Sequence, residues 1–365
     1  MKYLVLLLAL FAFPIQANAS WHAGSTLSFS NEENVFLSSI PEDDVVTTTS
    51  IWLGHLIEHD SWVAKIMYEG SFIEFWENNE NNYQLHNANL TVQHQLPRKG
   101  WWKIGLGAEN RLDGDTSGVY NHVNYLGALD TKVWLKEKMF LLAGYNIGKI
   151  RYTDLAEWNN IEHQLYSKLQ FMPSSKTTMT LASDISLRHY LSPLVSATTP
   201  EGTVEKSVRN TGQWVNSLAL STPLFDDHTG LQAFVLSRSN FGDKSSQFSL
   251  LDTELNALNP FFDDRYEYSS REYGSILSRV LPFTIMTRIG YNFASKDYNE
   301  ISGTSEPRHD TLHSLWFRIE KTFGVHSNDR RLKLFSECQQ LWNNSSNNEF
   351  DYSAWKTEFG AELTF

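Results

Sequence analysis

The sequence predicts an all-β protein, a transmembrane antiparallel up-and-down β-barrel of about sixteen strands, with roughly fourteen to eighteen compatible with the strand boundaries. Three observations carry this prediction. They are a removable export segment at the N-terminus, a two-residue alternation of apolar and polar side chains, and connections that alternate between short and long. Together they favour one large barrel over several separate domains.

The first nineteen residues have the parts of a secretory signal peptide. Lys2 supplies a positive charge, residues 4–13 are apolar, and Ala17-Asn18-Ala19 has the small-x-small form of a cleavage site before Ser20. An uncleaved anchor is the alternative, although the apolar run is short for a bilayer span. No linker or composition change divides residues 20–365, so we expect a signal peptide at 1–19 followed by a single β-barrel.

Composition excludes several classes of function. The net charge is −12, an acidic balance unsuited to nucleic acid, and we expect no nucleic-acid partner. A single cysteine, Cys338, rules out an intrachain disulfide framework or a cysteine-based zinc site. Beyond the N-terminal segment no apolar run approaches the roughly 20 residues of a transmembrane helix, which excludes a helical membrane bundle.

The final segment shows the alternation most clearly. One face would carry Trp355, Thr357, Phe359, Ala361, Leu363 and Phe365, and the other Lys356, Glu358, Gly360, Glu362 and Thr364. At about 3.3 Å per residue and a tilt of about 40°, this segment would span roughly 25 Å of membrane. A soluble antiparallel sheet gives the same local pattern, so the prediction depends on its repetition along the chain.

The connections alternate in length in the way that a bacterial barrel requires. Seven short turns are predicted at 59–61, 97–100, 136–138, 173–175, 226–228, 281–283 and 327–329. Eight longer loops are predicted at 31–44, 77–82, 112–120, 153–160, 192–210, 240–266, 295–310 and 343–351. These fifteen connections join sixteen strands and leave both termini on the side of the short turns, which is the periplasmic side in a barrel of this kind.

Tryptophans cluster near the predicted strand ends. Trp62, Trp101, Trp102 and Trp134 lie beside short turns, whereas Trp76, Trp158, Trp214, Trp342 and Trp355 lie toward long loops. Two such groups are typical of the aromatic belts at the two membrane interfaces. Core aromatics of a soluble sandwich are the alternative, but the charges of both signs on the polar faces suit a wet lumen better than a dry core.

With these features the chain resembles bacterial outer-membrane β-barrel proteins, and general diffusion porins in size. The ending Phe359-Gly360-Ala361-Glu362-Leu363-Thr364-Phe365 is similar to their assembly signal, which implies that Phe365 is read by the barrel-insertion machinery. Two segments, Asn34-Val35-Phe36-Leu37 and Asp44-Val45-Val46-Thr47-Thr48, resemble the opening of barrels associated with surface-polysaccharide export. The loop at 112–120 lacks the acidic constriction sequence of porins, so no porin eyelet is transferred to this chain.

The alternation predicts which charged residues face the lumen. These pore-lining candidates are Lys65, Glu69, Lys103, Glu109, Lys132, Asp184, Arg188, Arg288, Arg318, Glu320, Lys356, Glu358 and Glu362. Their mixed signs fit a water-filled pore of low selectivity or a salt-bridged, partly filled interior, since a selective pore favours a ring of one sign. The loops at 192–210 and 240–266 are long enough to fold inward and narrow the lumen.

Three functions remain open at this point. The first is a porin-like passive channel for small hydrophilic solutes, with saccharides as one option because Trp316 and Trp134 are candidate lumen residues, Trp134 alternatively being an interface anchor. The second is a non-channel barrel with a structural or binding role in a surface-polysaccharide or adhesion system. The third is an outer-membrane hydrolase, for which the only candidates are His189, His228, His309 and Asp310.

The sequence assigns no catalytic residue, metal ligand or cofactor, because no recognised catalytic or phosphate-binding motif is present. His59-Asp60-Ser61 is interpreted as a polar turn. The acidic clusters Glu32-Glu33, Glu42-Asp43-Asp44 and Asp263-Asp264 are interpreted as solvated loops, with Ca²⁺ or Mg²⁺ binding as the alternative. The expected partners are outer-membrane lipid and lipopolysaccharide, and a homo-oligomer stays an open possibility.

Overall fold

Sixteen strands of the chain form one closed antiparallel barrel in the computed structural model, which describes residues 18–37, 40–114, 118–192, 194–198, 204–207, 210–242, 268–298, 307–324 and 330–365. Each strand of the barrel pairs with its neighbours in chain order, and the first strand, β1 (Asn18–Glu32), pairs with the last, β18 (Tyr352–Thr364), to close the sheet. Closure leaves no strand edge with free backbone N–H and C=O groups, which is the condition for crossing hydrocarbon. The predicted fold class and strand number are confirmed.

The first half of the barrel contains β1 (Asn18–Glu32), β2 (Asp44–His59), β3 (Trp62–Phe75), β4 (Tyr83–Gln95), β5 (Trp101–Asp113), β6 (His122–Lys136), β7 (Met139–Tyr152), β8 (Asn160–Phe171) and β9 (Thr178–Tyr190). The second half contains β12 (Asn210–Pro223), β13 (Thr229–Gly242), β14 (Tyr268–Leu281), β15 (Ile285–Tyr298), β16 (His309–Gly324), β17 (Arg331–Ser345) and β18 (Tyr352–Thr364). Between them, β10 (Leu194–Thr198) and β11 (Val204–Ser207) form a separate two-stranded sheet inside a long loop.

Single turns of 3₁₀ helix occupy several connections: Asn79–Asn81, Pro97–Lys99, Gly118–Tyr120, Ala156–Trp158, Pro282–Thr284 and Asn348–Phe350. The short and long connections alternate as predicted. The predicted short turn at 59–61, for example, lies between the end of β2 and the start of β3. No helix among the described residues is long and apolar enough to cross a membrane.

The two faces of the sheet differ in chemistry, as the two-residue period requires. On the outer face Leu106 is 58% exposed, Leu165 is 60% exposed and Phe359 is 61% exposed. Leaving a Leu or Phe side chain in water instead of burying it costs about 1.5–3 kcal/mol, so an outer face of this kind requires hydrocarbon around it. The inner face carries charged side chains of both signs.

The tryptophans near the strand ends do not all face lipid, as two aromatic belts would require. Trp102 and Trp214 lie on the outer face. Trp101 and Trp134, in contrast, pair across strands with Lys132 and Phe140 on the inner face, so these two are not lipid-facing belt members. Trp134 also donates its Nε1–H to the carbonyl of Lys99 at a short turn (3.2 Å), which makes it an anchor of that turn.

The N-terminal segment of the chain, 1–17, lies outside the described residues. Strand β1 begins at Asn18, two residues before the predicted cut at Ser20, and its register with β2 continues to Glu32. Cleavage at the predicted place would leave thirteen residues of β1 in the sheet, so the signal peptide stays a prediction compatible with the barrel.

The outward direction of Ala361 can be tested by substitution. Ala361→Arg would force a guanidinium into hydrocarbon, and we expect it to destabilise the folded barrel by about 2–4 kcal/mol. Glu358→Arg, three residues earlier on the inner face, should cost much less because it stays in the lumen beside Glu337. Folding of both variants into lipid vesicles, followed by urea titration, measures the difference. Equal stability of the two variants would contradict the assignment of the faces.

Candidate functional site: the lumen

The pairing register places all thirteen pore-lining candidates on the inner face of the barrel. A single row of cross-strand partners joins Arg288, Arg318, Glu337 and Glu358 from β15 to β18. Partners in such a row point to the same side of a sheet, and the residues next to them in sequence point to the other side. Each remaining candidate lies an even number of positions from an inward-facing residue of its own strand and therefore also faces inward. These candidates are Lys65, Glu69, Lys103, Glu109, Lys132, Asp184, Arg188, Glu320, Lys356 and Glu362. Their part in permeation stays a prediction.

One wall of the lumen carries a charge ladder, formed by Arg288, Arg318, Glu320 and Glu337 on β15–β17. Arg288 lies 3.2 Å from Glu320, and Arg318 lies 3.0 Å from Glu320 and 3.1 Å from Glu337. The Arg318 guanidinium also stacks over the Phe335 ring, 4.2 Å from its centroid. Two further ion pairs join neighbouring strands of this wall, Lys333 with Glu362 and Lys356 with Glu32.

Ion pairs also hold the opposite wall. Lys103 lies 2.6 Å from Asp130, which accepts a hydrogen bond from the Tyr166 hydroxyl, and Arg188 lies 3.3 Å from Glu162. Because positive and negative groups are paired on both walls, the described lumen has no ring of a single sign. The arrangement therefore favours low charge selectivity.

Inward aromatic rings lie over glycines of the neighbouring strand. Five rings pair directly across strands with a glycine: Trp52 with Gly24, Tyr166 with Gly144, Phe234 with Gly274, Trp316 with Gly290, and Phe335 with Gly360. The contact is close, since a Cβ on Gly24 would lie 2.6 Å from two atoms of the Trp52 ring. The missing side chain therefore leaves room for each ring beside the wall.

The first long loop folds into the barrel mouth. Val35 and Phe36 of loop L1 (residues 33–43) are buried against inward residues of β2, β3 and β4, and the Phe36 ring lies 6.5 Å from that of Phe75. The inward wall residues of this apolar cluster are Val46, Ile73, Phe75, Tyr83 and Leu85. This inward fold was not predicted, and its signal in the sequence is the apolar run Val35-Phe36-Leu37 in a loop that carries three acidic residues.

Asp44 holds the corner between L1 and the next loop, on the loop side of the barrel and beyond the apolar band. Its carboxylate accepts hydrogen bonds from the backbone N–H groups of Trp76, Glu77 and Asn78 and from the Asn78 amide, at 2.9–3.1 Å. Burial disfavours the charged form, but these donors outweigh it and hold the pKa of Asp44 below its usual 3.8. The stabilisation is thus present at neutral pH and lost as the pH falls through that lowered pKa.

The described residues do not assemble a hydrolytic centre from the candidate histidines. His228 lies in a short turn at one end of the barrel, whereas His189 contacts Asn210 and His309 contacts Asp297 toward the long loops. Asp310 instead accepts a hydrogen bond from Nε of Arg308, at 2.9 Å, and another from the hydroxyl of Ser345. No group of three or more His, Cys, Asp or Glu side chains in the described chain is placed to hold a metal ion.

The acidic loop clusters have internal roles where the structure describes them. Glu32 pairs with Lys356, Asp43 accepts the backbone N–H of Asn34 at 3.2 Å, and Asp44 holds the loop corner. The pair Asp263-Asp264 and most of the loop at 240–266 lie outside the described residues, as does part of the loop at 192–210. The prediction that these two loops narrow the lumen is therefore untested, and L1 occupies the mouth in the described chain.

Comparison with known proteins shows the fold. No protein-family model and no curated protein matches the sequence. The solved structure of Acinetobacter baumannii OccAB1 matches with a TM-score of 0.54 and 9% identity, over 95% of this chain and 97% of that one. OccAB2 of the same organism matches with a TM-score of 0.51 and 8% identity, over 95% and 98%. OmpT of Vibrio cholerae, in its trimer form, gives 0.48 and 10%, over 96% and 99%. The chain has the fold of outer-membrane β-barrels.

The anchor of L1 can be tested with Phe36→Ala. Removing this buried ring from its contact with Phe75 should free the loop while the strand pairing of the barrel stays intact. We expect cleavage at Glu33 and Glu42 by a glutamate-specific protease to accelerate at least about tenfold in the folded protein. Phe225→Ala is the matched control, because Phe225 is fully exposed in a short turn. Equal cleavage of the two variants would exclude Phe36 as the anchor.

Proposed function

We propose that the protein is a porin-like outer-membrane channel for the passive diffusion of small hydrophilic solutes. The observation that carries the proposal is the contrast between the two faces of one closed sheet. The outer face exposes large apolar side chains, and the inner face carries paired charges on both walls. Such an interior favours contact with water, because taking a charged group out of water costs several kcal/mol, which ion pairing repays only with excellent geometry and further hydrogen bonds.

Exposure of the paired groups supports a wet lumen. The side chains of Lys103, Arg288 and Lys333 remain 34%, 38% and 30% exposed although each forms an ion pair. Because the register directs them inward, their exposed parts face the lumen. A barrel of sixteen strands is wide enough for an aqueous channel, whereas one of about eight strands is filled by its own side chains.

The charge arrangement supports weak selectivity with a local bias at the mouth. Paired ladders leave little net field along the walls, so neutral solutes and small ions of both signs can pass. In L1, however, Glu33, Glu42 and Asp43 are exposed. Their field should concentrate cations at the entrance, and salt should screen that effect within about 10 Å at 0.1 M.

The C-terminal strand supports the expected assembly route. Phe365 donates its backbone N–H to the carbonyl of Ala23 at 2.8 Å, so the last residue of the chain takes part in closing the barrel. Recognition of this strand by the insertion machinery, and contact of the outer face with outer-membrane lipid and lipopolysaccharide, belong to the same proposal.

Conductance in a planar bilayer tests the channel directly. The purified, folded protein should give discrete conductance steps in potassium chloride, and a salt gradient should give a small reversal potential that favours the cation. The expected cation preference should shrink as the salt concentration rises, because the acidic mouth is screened. Absence of steps from protein that is shown to be folded would overturn the proposal.

Gly290→Ala tests the contribution of the glycines to the open width. A Cβ at Gly290 would overlap the Trp316 ring, so the ring must move into the lumen and single-channel conductance should fall by roughly a quarter to a half. Gly230→Ala is the matched control, since an added Cβ there meets nothing within 4 Å and the position also faces inward. Equal conductance of both variants would show that the Trp316 ring does not limit the open width.

A further inference from the structure

We propose that one half of the barrel wall, from β13 through β18 to β2, is a binding site for carbohydrate rings on the path of the solute. This inference rests on the proposed channel and specifies the class of solute. We call this surface the aromatic wall and define it by Phe234, Trp316, Phe335 and Trp52 with their partner glycines on the adjacent strands.

The four aromatic–glycine pairs follow one another without a gap around the barrel. Phe234 and Gly274 pair β13 with β14, and Trp316 and Gly290 pair β16 with β15. The next pair, Phe335 and Gly360, joins β17 to β18. Trp52 and Gly24 then join β2 to β1, so eight consecutive strands each contribute one member of a pair. The regular repeat distinguishes this wall from scattered inward aromatics.

The rings of Phe234, Trp316 and Trp52 leave part of their surface open to the lumen. The fourth ring of the wall, Phe335, is covered by the Arg318 guanidinium, 4.2 Å from its centroid. Each ring lies over a glycine, where a side chain would otherwise stand, and each aromatic residue is only half-buried. All eight residues lie at least four positions from either end of their strands, so the wall occupies the central part of the barrel and not its rims. A solute that crosses the barrel therefore passes these rings.

Polar groups suited to hydroxyls lie between the rings. The charge ladder lies on β16, the strand of Trp316, and on its two neighbours, β15 and β17. Its members are Arg288, Arg318, Glu320 and Glu337. The arginines donate several hydrogen bonds in a fixed plane, and the carboxylates accept them. A sugar ring matches both kinds of group. Its apolar face of C–H groups can stack on the aromatic rings, and its hydroxyls can donate hydrogen bonds to the carboxylates and accept them from the arginines. Mutual neutralisation of the ladder favours such an uncharged polyhydroxylated solute over an ion.

The opposite wall lacks this combination. Its Tyr166 also lies over a glycine, Gly144, but the hydroxyl is committed to Asp130, and Lys168 lies 5.6 Å from the ring centroid. An aromatic face covered by a cation and tied by its own hydroxyl is less available for stacking. The carbohydrate surface is therefore assigned to the half that contains Phe234, Trp316 and Trp52.

The test uses the full-length channel in a planar bilayer with a neutral glucose hexasaccharide as probe. We expect the sugar to interrupt the ion current transiently, with a concentration for half-maximal block that rises about tenfold in Trp316→Leu. Trp355→Leu is the matched control, since Trp355 is on the outer face of β18. Trp52→Leu and Phe234→Leu provide independent members of the same wall if Trp316→Leu does not fold.

The outcomes separate the two proposals. Failure to conduct would overturn the channel and, with it, this inference. Conductance that the hexasaccharide never interrupts would overturn the carbohydrate site and leave the channel standing. Block that is unchanged in Trp316→Leu, or in Trp52→Leu and Phe234→Leu where the first variant does not fold, would also overturn the aromatic wall as its site. Block by benzyl alcohol but not by the hexasaccharide would assign the wall to aromatic solutes and overturn the carbohydrate assignment.

Discussion

Everything in this molecule depends on the closure of the sheet between β1 and β18. Inside hydrocarbon an unpaired backbone N–H or C=O costs several kcal/mol, so a sheet that crosses a membrane must leave no edge. The pairing of residues 24–32 with 356–364 satisfies that requirement, and the bond from Phe365 to Ala23 extends it to the last residue. Once the sheet is closed, its two faces lie in different environments, and the two-residue period of the strands decides which side chain meets which environment.

The period explains why so much of the fold can be predicted from sequence. Alternation is strong where the lipid face is apolar and the lumen face is charged, as from Trp355 to Phe365, and the alternating lengths of the connections then give the strand count. Lys333 and Glu337 were missed because β17 also turns Phe335 and Leu341 inward, which weakens the contrast between its faces. The placement of Trp101 as a belt residue was wrong, because proximity to a turn does not determine which face a residue occupies. For Trp134 the register supports the lumen position, which was predicted alongside the interface position.

Register is the information that a single sequence does not supply. A glycine in a strand has no recognisable partner until the neighbouring strand is aligned, so Gly290 and Trp316, twenty-six positions apart, become a pair only in the folded sheet. The inward fold of L1 has the same origin. Val35 and Phe36 belong to a short apolar run in a loop with three acidic residues, and only the pairing of β2, β3 and β4 brings together the apolar patch that receives them.

Glycine and aromatic residues have complementary roles in this lumen, since glycine preserves width and aromatic rings supply contact surface. A wide channel needs walls that do not project, whereas recognition of a solute needs surface to contact. An aromatic ring that lies over a glycine provides contact area with little loss of width, and a neighbouring ion pair provides hydrogen bonds without a net field. The need for contact groups without a net field also explains why the charges are paired across strands. An unpaired arginine beside Trp316 would attract anions and exclude cations, whereas Arg288 and Arg318 held by Glu320 and Glu337 keep their donors available and the path electrically balanced. On the proposed function, discrimination between ions belongs to the acidic mouth, and discrimination by shape and hydroxyl pattern belongs to the aromatic wall.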